Sequence, residues 1–406
     1  MIVGAGAAGL MAAIAAGRAG ARVLLLETRP HPGAKLRVSG GGRCNVLPAD
    51  MSLDDFHTGG SRHTLRNILF SWPLASVRAF FEKDLGVPLQ AESTGKLFPV
   101  SGKAQDVLQA LLRESSRAGV TLQGGAQVVD VHRESAPAGF ELALADGRRV
   151  RARRLVLASG GLSLPKTGSD GHGLVLAQRL GVPTVPTYPA LVPLRSAAAR
   201  WQALAGLSVR ATLRAVCSSR PQDEREGDFL FTHRGFSGPV VLDMSRHLTD
   251  PARTGSQLRV RWGGSAAPDW ETALRPAGNR QVATLLAAHF PARLAAAFLE
   301  AAHVPSDRRE SDLARDERRA LVEVLCDFPL PVAGNEGYAT AEVTGGGVPL
   351  DAVDPKTLEA RAVPGLHLCG EMLDAIGRIG GYNFLWAWVT GQRAGQAAAK
   401  MTSARP

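Results

Sequence analysis

Gly4, Gly6 and Gly9 stand between an apolar tripeptide, Met1-Ile2-Val3, and a run of small apolar residues. At that spacing the first glycine permits a sharp strand-to-helix turn. The second lets backbone approach a diphosphate, and the third lets the helix pack on the strand. Ala7 and Ala8 open that helix, whose free N–H groups carry partial positive charge. The segment VLLLE ends on Glu27, where a carboxylate is expected to hold ribose hydroxyls. Strand, turn, helix and acid together predict a dinucleotide site rather than a structural glycine turn. Three residues before Gly4 make a short strand against the usual five or six or so, or imply a start codon upstream of Met1.

Further motifs repeat this chemistry. Lys35 precedes the run Ser39–Asn45, SGGGRCN, whose glycines allow a path closed to residues with a β-carbon. Gly42, Arg43, Cys44 and Asn45 are candidate cofactor contacts. The Arg43 guanidinium suits a phosphate or an electron-rich ring, and Cys44 is a candidate catalytic group set against the plainer reading of a buried thiol. LVLASGG ends an apolar strand on Ser159, Gly160 and Gly161, small enough for chain to cross a cofactor. LHLCGE ends another on Gly370 and Glu371, a second carboxylate at a strand tip. Gly380 and Gly381 then open the last helix, with Tyr382 and Asn383 beside its start. A helix N-terminus aimed at the pyrimidine end of a flavin stabilises negative charge on the reduced ring.

His233 and Arg234, in LFTHRGFSGP, are candidates to face a substrate, and His233 is, with Cys44, a candidate catalytic acid, although a lone histidine is more often structural. The same holds for His172 in KTGSDGHG, and RRVRARR (148–154) reads as the solvated face of a strand. HExxH, GxxxxGK[ST] and GxSxG are absent, which argues against metalloprotease, P-loop and hydrolase chemistry. No second GxGxxG follows a strand, so NADH or NADPH would dock transiently against a flavin.

These groups must be positioned by the 406 residues of a soluble, globular composition, 45% hydrophobic and 21% charged. The four cysteines are scattered without a CxxC, so no metal site is expected and a reducing cytoplasm suits them. No segment reads as a membrane span. The net charge of +10 concentrates in residues 1–189, with 22 basic and 14 acidic side chains. Such an excess attracts nucleic acid or an anionic substrate, but no aromatics interleave with the basic runs.

Residues 1–27 read as strand, turn, helix and strand. Residues 33–48 read as a glycine-rich loop, 62–120 as mostly helical, 120–158 as β-structure around Val128–His132, Phe140–Leu144 and Val150–Ala158, and Gly171–Gly181 as a helix. Thr184–Leu194 reads as a proline-rich linker. Strands are expected at Ser208–Cys217, Phe229–Thr232 and Gln257–Trp262, a helical stretch from Asn279 to Leu325, and a last helix from about Leu385 to Lys400. The expected organisation is a nucleotide-binding domain from residues 1–189 and 335–406. Between them lies an insertion, 190–334, β-rich to 265 and mainly helical from 266.

GAGAAGLMAA, SGGGRCN, ALVPL, LFTHRGFSGP, AEVTGGGVPLDAVDPKTLEA and GLHLCGEMLDAIGRIGGYNFLWAW together resemble the YhiN/BaiN-like family of bacterial FAD-dependent oxidoreductases. The resemblance implies an α/β fold. It would be a two-part Rossmann-like FAD-binding domain of the glutathione reductase and fumarate reductase flavoprotein type, with a β-barrel-like insertion carrying a helical subdomain. It implies FAD contacts at Gly4–Gly9, Glu27, Arg43–Asn45, the backbone near Val128, Gly370-Glu371 and Gly381–Asn383. Members differ in activity: reduction of a conjugated double bond in bile-acid intermediates, amine oxidation of aminoacetone, and reduction of a uridine in 23S ribosomal RNA to dihydrouridine. Here the RCN loop continues as VLPAD rather than a Thr-Asn-rich run, which separates this chain from its relatives near the site.

The expected activity is hydride transfer between flavin N5 and a carbon of a small molecule, with NADH or NADPH as donor. The alternatives are an RNA-modifying flavoenzyme acting on ribosomal RNA, an amine oxidase, or a protein in which FAD is only structural.

Overall fold

The computed structural model describes residues 1–135, 137–218, 220–275 and 278–400. The chain forms two compact units, Met1–Tyr188 with Val343–Pro406, and Pro189–Glu342.

The first unit opens with β1 (Ile2–Val3), α1 (Ala7–Arg18), β2 (Leu24–Leu26), α2 (Ala34–Gly42), β3 (Leu47–Pro48) and β4 (Phe56–His57). It continues through α3 (Arg62–Leu69), α4 (Leu74–Ala79), β5 (Leu89–Ala91), β6 (Lys96–Pro99), α5 (Ala104–Arg117) and β7 (Thr121–Gln123). Then come β8 (Val128–Ser135), β9 (Ala138–Leu144), β10 (Arg149–Ala152), β11 (Leu155–Leu157), α6 (His172–Arg179) and β12 (Val185–Ala190).

The second unit holds β13 (Leu194–Arg195), α7 (Ala199–Gln202), β14 (Ser208–Cys217), β15 (Arg220–Thr232), β16 (Gly235–Ser237), α8 (Pro239–Thr249) and β17 (Ser256–Trp262). It ends with α9 (Trp270–Ala273), α10 (Val282–Ala287), α11 (Ala292–Ala301), α12 (Arg315–Cys326), β18 (Phe328–Pro329) and β19 (Gly334–Asn335). The chain completes the first unit with β20 (Val343–Gly347), β21 (Leu366–Leu368), β22 (Ile376–Gly377) and α13 (Tyr382–Ala399).

A parallel sheet in the order β21-β11-β1-β2-β7 carries the first unit. Its strands β1, β2 and β11 are short apolar runs, as strands covered on both faces require, while the edge strand β7 carries Thr121 and Gln123. Helix α1 is buried from Ala8 to Ala16, which explains why it is apolar nearly all round. Against it lies α13, brought close by two glycines. A β-carbon at Gly391 would stand 2.4 Å from the Ala8 carbonyl oxygen, and one at Gly395 2.2 Å from that of Ala12. Any larger residue would separate the helices. Trp386 and Trp388 of α13 are buried and donate to the carbonyls of Gly370 (3.1 Å) and Val46 (3.0 Å).

The second unit is an antiparallel sheet in the order β18-β17-β14-β15-β16-β13-β19. Trp201, Phe229, Phe231, Phe236 and Trp262 fill one aromatic core on it. Alternation along β14 and β17 supplies the inward residues.

Several sequence expectations are corrected. Segment 33–48 contains α2, broken at Ser39, Gly40 and Gly41 where the dihedrals leave the helical region. Residues 62–120 include the β5–β6 hairpin. The proline-rich stretch 184–194 is strand β12 paired to β20, where Gly345 and Gly346 leave room for the Tyr188 ring and the Pro186 carbonyl. Proline suits such a two-stranded edge. Helix α8 lies within the region read as β-rich, where no helix is expected. The second unit extends to Glu342 because β19 pairs with β13. Helix α13 begins at Tyr382, earlier than the hydrophobic run suggests.

Candidate functional site

The three glycines after β1 have three different surroundings. Gly4 has φ +99°, and a β-carbon there would meet the Ala158 carbonyl oxygen at 2.6 Å. At Gly9 a β-carbon would fall 1.7 Å from the Gly4 carbonyl oxygen. At Gly6, the N-cap of α1, nothing lies within 4 Å of that position. Gly4 and Gly9 are therefore required by the fold, while Gly6 leaves open space at a helix N-terminus. No side chain caps that terminus, so the first-turn amides of Ala7 and Ala8 face outward as an anion cradle. At the tip of β2, Glu27 accepts from the Ala5 N–H (2.7 Å) and the Arg29 N–H (2.9 Å), which fixes its carboxylate beside the turn. This arrangement fits a dinucleotide.

A second cluster ties four segments together. Lys35, in the first turn of α2, donates to Glu371 (2.6 Å) and Ser163 (2.5 Å). Glu371 also accepts from the Ser163 hydroxyl and the Thr344 N–H (3.0 Å). The Thr344 hydroxyl oxygen accepts from the N–H groups of Leu162 (2.7 Å) and Ser163 (3.0 Å). A β-carbon at Gly161 would stand 2.4 Å from that oxygen, so the turn after β11 requires a glycine there. Gly160 has φ +78°, and Ser159 donates to the Met372 sulfur (3.5 Å). Gly370 packs on α1: its β-carbon would approach that of Ala8 to 2.7 Å. The backbone N–H of Gly33, before α2, donates to the Ala5 carbonyl (3.0 Å). Lys35 and Glu371, far apart in sequence, thus sit beside the first turn. Ser163 and Thr344 escape sequence reasoning because a hydroxyl in a glycine-rich turn carries no distinguishing pattern.

The third cluster surrounds the start of α13. Gly40, Gly41, Gly42 and Cys44 all have positive φ. The Asn45 amide accepts from the Gly381 N–H (3.0 Å) and donates to the Leu47 carbonyl (3.2 Å). A β-carbon at Gly381, the N-cap, would lie 2.5 Å from the Leu47 carbonyl carbon. No side chain of α13 itself caps its N-terminus. Asn383 accepts from the Gly377 N–H (2.8 Å) and donates to the carbonyls of Gly377 (2.9 Å) and Arg378 (3.3 Å), so its amide is spent on the preceding turn. Tyr382 meets Phe56 edge-on, with ring centroids 5.8 Å apart. Beside this start lies Lys96 of β6, whose Cγ and Cε would both be 3.8 Å from a β-carbon at Gly380. Nothing in the sequence near Lys96 marks it.

Some expected roles change. Arg43, read as a phosphate or flavin partner, pairs with Glu92 (2.5 Å) and stacks over Phe98 at 4.2 Å. Cys44, a catalytic candidate, is fully buried, and desolvation pushes its thiol up to about 12. It lines no open cavity and holds its proton, which argues against a thiolate role. Val128 is buried opposite Leu144, so only its backbone is available to a ligand. His233 is exposed on the turn between β15 and β16 of the second unit. Arg148, Arg149 and Arg151 of RRVRARR are ion-paired on the surface: Arg148 with Asp146 (2.6 Å), Arg149 with Glu141 (2.5 Å), and Arg151 with Glu141 (3.0 Å) and Glu134 (3.1 Å). Among the described residues no helix is long and apolar enough to cross a membrane.

Residues 1–397 match the family model described as HI0933-like protein Rossmann domain. A ribosomal RNA dihydrouridine synthase of Escherichia coli (strain K12) is 33% identical over 395 residues, covering 96% of this chain and 94% of that protein. A 3-dehydro-bile acid delta(4,6)-reductase of Clostridium scindens is 34% identical over 410 residues, covering 98% of each. In fold, the chain is similar to the open conformation of a flavocytochrome c3 fumarate reductase (TM-score 0.52, 16% identity, 98% of this chain and 77% of that one).

Proposed function

Because the chain belongs to the HI0933-like Rossmann family of FAD-dependent oxidoreductases, we propose that it is a reductase saturating a ring carbon–carbon double bond in a small molecule. The observation that carries this reading is the near-equal similarity to two relatives whose names both denote saturation of a ring double bond. Bound FAD would supply hydride from its ring, and NADH or NADPH would restore it. The chain's own residues bind and orient. The α1 N-terminus holds the diphosphate over Gly6, and Glu27 receives the adenosine ribose. The Lys35–Glu371–Ser163 cluster ties the start of α2 to the turns after β11 and β21 beside the first turn. The α13 N-terminus stands at the pyrimidine end, where negative charge develops on reduction.

The paired state of the β10 arginines favours a small molecule over RNA, because an ion-paired guanidinium contributes less to phosphate binding. The test is anaerobic titration of the yellow protein with NADH and then NADPH. Reoxidation is then followed with a 3-keto-4-ene steroid and, separately, with ribosomal RNA lacking dihydrouridine. Bleaching followed by reoxidation by the steroid supports the proposal. Reoxidation by the RNA alone replaces it with the uridine-reducing reading, and a flavin that no nicotinamide reduces points to an oxidase.

A further inference from the structure

Lys96 stands where the helix dipole disfavours it. A cation at a helix N-terminus is destabilising by some tenths of a kcal/mol unless an anion joins it. The strand β6 that carries Lys96 is fixed by pairing with both β3 and β5, with Lys96 opposite Pro48. Its stem crosses the bare face of Gly380, one residue before the Gly381 N-cap. A β-carbon at Gly380 would be in van der Waals contact with that stem, at 3.8 Å from both Cγ and Cε. The carboxylate of the same hairpin, Glu92, is taken by Arg43 at 2.5 Å. Among the described residues Lys96 has no ion pair and no side-chain hydrogen bond. It is half-buried rather than extended into water. The stem therefore lies beside the α13 start, and among the described residues the charge it carries has no protein counter-ion.

We propose that Lys96 is a potential-setting residue: with the α13 N-terminus it stabilises the negative charge that FAD gains at its pyrimidine end on reduction. This rests on the flavin orientation of the proposed function. Two donors of positive potential converging on one edge favour the reduced form over the oxidised form, since only the former carries the charge. Lys96 contributes charge, not proton transfer, so arginine can replace it and methionine cannot.

The test is the midpoint potential of bound FAD, measured anaerobically against a reference dye, with the Kd of oxidised FAD for the apoprotein alongside. The proteins are wild type, Lys96→Met, Lys96→Arg and Lys83→Met, the last an exposed lysine of another surface. Lys96→Met is expected to lower the preference for reduced over oxidised FAD about tenfold, a shift of about 30 mV to more negative potential for a two-electron couple. Oxidised FAD should bind within about threefold of wild type. Lys96→Arg should restore the potential, and Lys83→Met should match wild type. A Lys96→Met potential equal to that of Lys83→Met overturns the inference and leaves the flavin reading intact. A shift that arginine fails to restore also overturns it, because charge would not be the cause. A wild-type apoprotein that takes up no FAD overturns the underlying reading and this inference with it.

Discussion

The starts of α1 and α13 are both uncapped by their own side chains, and both follow glycine, yet they are built differently. At α1 the surroundings are backbone: Gly4 against Ala158, Gly9 against Gly4, and open space only at Gly6. A carboxylate, Glu27, is anchored beside it. At α13 side chains join the backbone: a β-carbon at the Gly381 N-cap would lie 2.5 Å from the Leu47 carbonyl carbon, Asn45 accepts the N-cap N–H, and Lys96 lies against the preceding glycine. The first start suits a permanently charged diphosphate and a sugar. The second suits a charge that appears only on reduction. Backbone walls, at Gly4, Gly9 and Gly381, make a site hard to alter, whereas side chains such as Asn45 and Lys96 leave the α13 start adjustable.

This difference can be broken most forcibly at Gly9. Alanine there would place its β-carbon 1.7 Å from the Gly4 carbonyl oxygen. Backbone cannot yield cheaply, so Gly9→Ala should destabilise the chain by at least about 3 kcal/mol and abolish FAD binding. Thermal melting with and without FAD measures both. Gly6→Ala is the sharper companion. Its dihedrals (φ −80°, ψ −167°) suit alanine and its β-carbon meets nothing. Apoprotein stability should therefore stay within about 1 kcal/mol, while FAD affinity falls roughly a hundredfold as the methyl blocks the diphosphate. Equal losses in the two variants would show that the glycines are not divided between fold and ligand.

The Lys35–Glu371 pair comes next in size. Removing one partner leaves the other charged, part-buried and short of hydrogen bonds. Lys35→Met should weaken FAD binding tenfold or more and lower the melting temperature. Lys35→Met combined with Glu371→Gln should recover much of the stability but not the affinity. Recovery of both would assign the pair to packing alone.

The glycine turn, the parallel sheet and the two-part domain were legible because their signals are local: fixed glycine spacing, apolar strand runs, acids at strand tips. The partners of Arg43, Glu371 and Asn383 were not. Each has the residue type a flavin contact needs, and each is instead held by protein: Arg43 by Glu92 and Glu371 by Lys35 and Thr344, all distant in the chain, and Asn383 by the turn at Gly377 and Arg378. Residue type and motif order cannot tell a polar group aimed at a ligand from one spent on protein. Strand β12 was hidden for a related reason: prolines mask a strand whose pairing is set by glycines more than 150 residues later.

The smallest expected effect separates the two units. In the second, Asp223 accepts from Arg246 (2.7 Å), Arg225 lies 3.6 Å away, and His247 meets Asp223 (3.2 Å) and Arg253 (3.3 Å). Burial opposes ionisation of Asp223, but His247 and the arginines outweigh it and hold the carboxyl at about 2. Burial lowers His247 below its usual range, assisted by Arg246 and Arg253. Both folded-state values lie below their unfolded ones. Their stabilisation is complete above about 6.5 for the histidine and about 4 for the carboxylate, and is lost as pH falls through the folded values. Acidification from pH 7 should therefore weaken the second unit first by way of His247, and further between about pH 4 and the Asp223 value of about 2. His247→Gln should flatten the first part of that loss. Hydrogen exchange followed by unit at pH 7, 5 and 4 measures it, and equal loosening of both units would remove the Asp223 cluster as the cause.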